Sequence, residues 1–356
     1  MSTNRHYPEI GGQSTDSHST READSVSRAS YSEDGAQEIL ERKSGAVFVA
    51  RLRQLGFAVA SLVALVVLFS LLNPRFLSYI NWFHITQQGA IIMVLALGQS
   101  FVIATAGIDI SQGSVLALSS MIAAGSLVYL HLPPVLAIAA ALLTGAAAGA
   151  VVGLAVTRML VPPFIATLGM LSVALGAALL LTDGSPIFGL PNRFLVIAQG
   201  KMLGFPLMAW IAAALALIAA FILNKTRFGR YTLAIGSNAE SARRAGIPVR
   251  RHLLFVYVVG GLASAVGGIL YAGYTAAALP TAGQNDELFS IAAVVIGGGS
   301  LFGGVATILG SVIGTLLMTV LANGSQLAGI SPYVEQVVLG LVVVAAVYVD
   351  NIRRRN

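Results

Sequence analysis

Past about residue 45 the chain is a succession of apolar runs separated by short polar breaks. A membrane-spanning helix needs about 20 mostly apolar residues at 1.5 Å each. Runs near 55–72, 85–106, 113–131, 134–157, 164–182, 206–223, 253–274, 289–304, 305–323 and 332–350 meet or approach that length. They predict an all-α polytopic membrane protein of about ten transmembrane helices. The run at 289–304 is short and glycine-rich, which predicts a broken or re-entrant segment shielded inside the bundle. Ten crossings would put both termini on one side.

The longest polar interruption after the N-terminal tail is Asn224 to His252, NKTRFGRYTLAIGSNAESARRAGIPVRRH. It carries Lys225, Arg227, Arg230, Arg243, Arg244, Arg250 and Arg251. A short helix can be read inside it. Ser237 and Glu240 fit a capping box, with Asn238 as a rival cap. Gly246 is placed to stop the helix and Pro248 to prevent its resumption. Ala239, Ala242 and Ala245 fall on one narrow face of small residues, and Glu240 can pair with Arg243 or Arg244. So short a helix is marginal alone in water. Its flat face suits docking into a partner's groove; the alternative is an ordinary basic loop.

Composition agrees with a bilayer setting. Of 356 residues, 56% are hydrophobic and only 10% charged, with mean hydropathy +0.82, against about 25% charged residues in soluble domains. There are no cysteines, so disulfide and thiol chemistry are excluded. The net charge of +6 does not signal nucleic-acid binding, because the basic residues flank spans and set topology. With the N-terminus inside, fifteen Lys and Arg lie on inner flanks, against Arg75, Arg193 and Lys201 outside. The outer loop around 275–288 carries Asp286 and Glu287. Residues 1–45 are Ser-rich and poor in large apolar side chains, which predicts a disordered cytoplasmic tail. That tail lacks the apolar core and cleavage site of a signal peptide.

Candidate chemistry is sparse. Asp109, in TAGIDISQGSV, lies between two spans, and the interiors of the predicted spans hold no other ionisable acid or base. This paucity argues against ion coupling. Asp109 and Ser111 either cap the next helix or lie at a gate. The glycine cluster IGGGSLFGG at 296–304 lacks the spacing and lysine of a phosphate loop and predicts a backbone bend. Gln99, Ser100, Thr105, Thr167, Ser172, Asn323 and Gln326 are polar positions within or beside spans. They serve either a hydroxylated cargo or helix–helix hydrogen bonds. Small-residue stripes at Gly145/Gly149/Gly153, Gly260/Ser264/Gly268 and Gly310/Gly314 predict tight helix packing. No clustered catalytic side chains support a membrane-embedded enzyme.

Several stretches together resemble the sugar permeases of ATP-binding-cassette importers. They are ALGQSFVIATAGIDISQGSVLALSSM, VPPFIATLGMLSVALGAALLLTDGSPI, GRYTLAIGSNAESARRAGI, AAVVIGGGSLFGG and SPYVEQVVLGLVVVAAVYVD, spread over roughly residues 55–352. The resemblance implies a permease domain over 46–352 with a cytoplasmic coupling loop at 224–252. It also implies a bacterial inner-membrane setting with both termini cytoplasmic. The expected partners are a cytoplasmic ATP-binding subunit, a periplasmic sugar-binding protein and a second permease subunit, identical or homologous. No cofactor and no metal are expected. The coupling residues would be Gly236, Asn238, Glu240, Ala242, Arg243, Arg244 and Gly246. The chain departs from the family's pattern at Ser241, where an alanine is usual. Gln99, Asp109, Ser111, Thr167 and Asn323 are the candidates for a pathway or gate. A stand-alone or ion-coupled carrier is the alternative function.

Overall fold

The computed structural model describes residues 55–355. The expectation for the N-terminal tail lies outside the described residues, as do four of the fifteen basic residues assigned to inner flanks, Arg42, Lys43, Arg51 and Arg53.

The described chain is a helical bundle. Its elements are α1 (Leu55–Leu72), a 3-10 turn (Pro74–Leu77), α2 (Tyr79–Ala104), α3 (Gln112–Val128), α4 (Pro134–Thr157), α5 (Pro163–Leu180) and α6 (Asn192–Gln199). There follow a hairpin of β1 (Lys201–Met202) and β2 (Phe205–Pro206), then α7 (Leu207–Lys225), α8 (Arg227–Ser237) and α9 (Ala239–Arg244). The chain closes with α10 (Val249–Thr275), α11 (Asp286–Ile296), α12 (Ile308–Leu327) and α13 (Pro332–Arg355). Eight of these helices are long and apolar enough to cross a membrane: α1, α2, α4, α5, α7, α10, α12 and α13. The remaining two expected spans are shorter. α3 has 17 residues, and α11 has 11, followed by irregular chain at 297–307. Helix α11 is about 16 Å long at 1.5 Å per residue, so it crosses only half a bilayer.

Helix α10 is the packing axis, against α2, α3 and α4. The small-residue stripes explain why. Gly145 and Gly149 of α4 sit on the backbone of α10 at Gly261 and Tyr257, and Gly153 faces Leu254; a methyl at any of the three would collide. Gly268 of α10 sits likewise on Leu116 of α3, while Gly310 and Gly314 of α12 sit on Gly297 and on Ala293 of α11. Close backbone approach is the main source of helix association in lipid. The axial helices are accordingly interior: 89% of the apolar window of α2 is buried, against 11% for α1.

These contacts define two ends. The C-terminal end of α4 meets the start of α10 through Gly153 and Leu254, so Arg158 shares an end with α8 and α9. The start of α2 lies at the other end, where the Tyr79 hydroxyl donates to Gly204 O in the β1–β2 turn. Lys201 stands over the Phe83 ring there, 4.8 Å from its centre.

Two segments that connect spans run into the bundle instead of around it. Gln112, at the start of α3, donates from Nε2 to Leu95 O of α2 at 3.4 Å and abuts Gly98. Leu95 and Gly98 lie roughly 9–14 Å back along α2 from Ala104, so residues 105–111 climb back into the interior. From the opposite end, the chain at 276–285 descends until Gly283 packs on the backbone of Gly113. Ser290 Oγ of α11 then donates to Gln112 Oε1 at 3.0 Å. The two irregular segments meet inside the bundle at the N-termini of α3 and α11. This corrects the placing of Asp286 and Glu287 in an outer loop. Both belong to the first turn of α11, and Glu287 Oε2 packs against Gly113.

Candidate functional site

The central polar stretch folds as two short helices. Helix α8 begins at Thr226, whose hydroxyl accepts from Gly229 N. A single extended residue, Asn238, separates it from α9. Asn238 Oδ1 accepts from Ser241 N at 2.9 Å, so Asn238 is the cap of α9. Ser237 is not: it ends α8, and its hydroxyl donates to Leu233 O. The capping-box reading fails because α8 continues through Ser237.

The end of α9 follows the sequence signals. Gly246 has φ +82°, the left-handed conformation that glycine adopts without penalty. Gly246 N donates to Arg243 O at 3.0 Å and Ile247 N to Ala242 O at 3.1 Å, the paired bonds of a Schellman cap. Glu240 accepts from Arg243 Nη2 at 2.5 Å and from Arg244 Nε at 3.1 Å. Those two hydrogen bonds, Arg243 first, hold its carboxyl below the usual range. Of the alanine face, only Ala242 is buried; Ala239 and Ala245 are exposed. The surface presented to solvent is thus the two outer alanines, Ser241 and a half-neutralised basic rim.

Beneath that surface α8 is anchored at two points. Thr232 Oγ1 and His252 Nε2 are 2.8 Å apart, and the His252 ring lies 4.5 Å from that of Phe228, which ties α8 to α10. At its other end Gly236 rests on Ala104 O and Gly304 N, with no room for a methyl. Gly304 N donates to Ala104 O at 3.0 Å. The glycine-rich segment after α11, the end of α2 and the end of α8 therefore join at one point. That segment is held in turn by α13: Ser300 Oγ and Leu301 N donate to Asp350 Oδ2 at 3.0 and 3.1 Å. Sequence reasoning found the glycine cluster but not its partners, because Ala104, Gly236 and Asp350 are far apart along the chain.

The second predicted group assembles around the 105–111 break. Asp109 is buried. Its Oδ1 accepts from Ser111 N at 2.9 Å and from Ser111 Oγ at 2.6 Å, while Oδ2 faces Gly260 of α10. Ser111 precedes α3 but makes no side-chain cap bond to it, so the expected cap is a local turn instead. The Gln99 carboxamide, turned to satisfy both groups, pairs with Asp109 N and O at 3.3 Å. Thr167 of α5 donates to Ile108 O at 3.2 Å. Gln99, Asp109, Ser111 and Thr167 are thus brought together, and their bonds satisfy backbone that would otherwise be unpaired inside the bundle. Asn323 is apart from them. It lies buried on α12, and its Oδ1 makes no hydrogen bond among the described residues.

Similarity to known proteins agrees with this architecture. The family described as branched-chain amino acid transport system / permease component matches residues 81–347. The chain is similar to the ribose import permease protein of Escherichia coli K12, at 41% identity over 298 residues, covering 82% of this chain and 92% of the relative. Against the ribose import permease protein of Bacillus subtilis 168 the identity is 43% over 291 residues, covering 81% and 90%. Against the galactose/methyl galactoside import permease protein of Escherichia coli K12 it is 34% over 333 residues, covering 88% and 98%. No solved structure matches the chain. With a polytopic bundle, an exposed helical loop at one end and this run of similarity, the chain belongs to the branched-chain amino acid transport system / permease component family.

Proposed function

We propose that this chain is the translocation subunit of an importer for a monosaccharide or related small polyol, driven by ATP hydrolysis on a separate chain. The relatives named as ribose and galactose permeases support the cargo class. The observation that carries the mechanism is the double anchorage of α8, at His252 of α10 and at the Ala104–Gly304 junction. A subunit that docks on α9 and moves it displaces α8, and with it α10, the end of α2 and the segment at 297–307. These are the elements that flank both interior breaks. Cargo is carried in one direction only if the resulting states bind it differently.

In this reading Asn238, Glu240, Arg243, Arg244 and Gly246 build the coupling surface, while Ala242 is buried beneath it and Gly236 seats α8 on the end of α2. Gln99, Asp109, Ser111 and Thr167 hold the break that the movement acts on, and Asn323 lies on the pathway. The loop faces the cytoplasm of a bacterial inner membrane, as do both termini, in accord with the bias of basic residues. A periplasmic sugar-binding protein delivers the cargo, and a second permease subunit, a copy or a homologue, completes the pathway.

The test is Ala239→Trp. Ala239 is exposed, so the bundle has no reason to misfold, while a docking groove built for small residues is blocked. The ATPase should no longer co-purify and uptake should cease, with the permease at its usual membrane level. Undiminished co-purification and uptake would overturn the docking role.

A further inference from the structure

At the end of the bundle away from α8 and α9, a cavity of about 280 Å³ opens between α2, α10, α11, α12 and α13. Its position follows from chain direction. The α10 residues that line it, Tyr271 and Tyr274, lie in the last two turns of a helix that starts at the coupling loop. The α2 residue, Gln88, is sixteen positions before Ala104. The other polar walls are Asp286 from the first turn of α11 and Thr319 and Gln326 from α12, with Glu335 of α13 also lining it. One residue past Asp286, Glu287 packs on Gly113, so the cavity ends where the two interior breaks meet.

We propose that this cavity is the cargo site, shaped for a neutral polyhydroxylated solute of monosaccharide size. The proposal rests on the reading of the chain as a sugar translocation subunit. Carboxylates accept from hydroxyl groups, and the two carboxamides both donate and accept. The rings of Tyr271 and Tyr274 offer apolar faces to the C–H edges of a sugar ring. No Lys or Arg lines the cavity. A cargo bearing a carboxylate or phosphate would face Asp286 and Glu335 with no compensating base, a costly arrangement away from water. An apolar cargo would leave the amides and hydroxyls unpaired. A site at the N-terminus of a half-length helix is also a recurrent design in transporters. The larger cavity of about 530 Å³ between α2, α7 and α10 has walls that are almost wholly aliphatic and aromatic, which suits a lipid chain and not a hydrated solute.

This chain has no cysteine, so a thiol introduced into it is the one site of labelling in this subunit, and the unsubstituted complex treated with the reagent controls for thiols on the other chains. Thr319→Cys, and separately Leu217→Cys on the outward surface of α7, are introduced into the full complex with its ATPase and binding protein, in proteoliposomes. A positively charged, membrane-impermeant methanethiosulfonate reagent, which Asp286 and Glu335 would not repel, is added from the side opposite the ATPase, and D-ribose uptake and ATP hydrolysis are followed. Thr319→Cys should react, and its modification should lower uptake about tenfold while hydrolysis continues; Leu217→Cys, modified or not, should transport normally. A fully labelled Thr319→Cys complex that imports at the unlabelled rate would overturn the proposal. So would a thiol there that stays unreactive in every nucleotide state. Asp286→Asn gives a second arm: hydrolysis should persist while half-saturation for ribose rises, and an unchanged value counts against the site. If the unsubstituted complex imports no ribose, the sugar assignment has failed, and labelling alone then decides whether the cavity is an open aqueous site.

Discussion

Gly236 and Ala104 meet backbone to backbone: the α-carbon of one lies so close to the carbonyl oxygen of the other that no side chain fits between them. The contact joins an exposed helix to the end of a buried span. Gly236→Ala must push α8 off α2, since backbone at Ala104 and Gly304 cannot swing aside as a flexible side chain would. Overpacking of this kind costs about 1–3 kcal/mol. We expect a lowered thermal midpoint and a loss of ATP-driven uptake larger than any loss of membrane level, measured by transport per folded complex.

Gly246→Ala should behave differently. Nothing lies within 4 Å of the added methyl, and the cost is that of a left-handed backbone on a non-glycine residue, about 1–2 kcal/mol. The effect should stay local to α9. Amide exchange should quicken at Gly246 and Ile247, with the bundle unaffected.

Asn238→Ala removes the cap of α9 and should destabilise that helix by about 1 kcal/mol. Ser237→Ala leaves the cap intact, because its hydroxyl bonds within α8. Hydrogen exchange at Ser241 N separates the two: protection falls in the first variant and persists in the second.

The interior break should be more sensitive to the residues that hold its backbone than to those that decorate it. Gln99→Leu strands the amide and carbonyl of Asp109, a cost of about 1–3 kcal/mol for each group left unpaired. Ser111→Ala loses only its hydroxyl bond, since Ser111 N still reaches Asp109 Oδ1. Thermal unfolding in detergent should rank Gln99→Leu well below Ser111→Ala. Asp109→Ala should lower uptake more than assembly, and wild-type transport by that variant would reduce Asp109 to a local turn residue.

Glu240 gives a pH expectation. Hydrogen bonds from Arg243 and Arg244 lower its pKa from 4.5. A depressed carboxylate contributes stability above its unfolded pKa and loses it as pH falls through the folded value. The stability of α9 should therefore be indifferent to this group's titration at neutral pH and should weaken only below about pH 4.5, where the unfolded carboxylate begins to hold its proton. Because the pair is exposed, salt should screen it. Glu240→Gln should abolish that acid dependence, read as the protection of the α9 amides against hydrogen exchange.

The spans were legible because a bilayer demands long apolar runs, and nine of the ten expected segments appear as helices whose ends lie within six residues of the predicted bounds. Helix α9 was legible too: Asn238, Gly246 and Pro248 act through local backbone chemistry. What escaped the sequence was non-local. The polar residues around Asp109 look like scattered helix-to-helix glue until α2 and α5 bring Gln99 and Thr167 to the same few peptide groups. Asp286 and Glu287 read as loop acids because nothing in their neighbourhood announces that the chain turns inward. The outer cavity draws its polar wall from five helices, so no window of sequence holds its signature.

Gly113 and Gly283 touch at the innermost reach of the two interior segments, and neither brings a side chain to the spot. The seam between them is thus backbone on backbone, with the Glu287 carboxylate and the Leu116 side chain at its edge. A replacement as small as alanine at Gly113 would collide with Gly283 O and Glu287 Oε2 and pry the two interior segments apart.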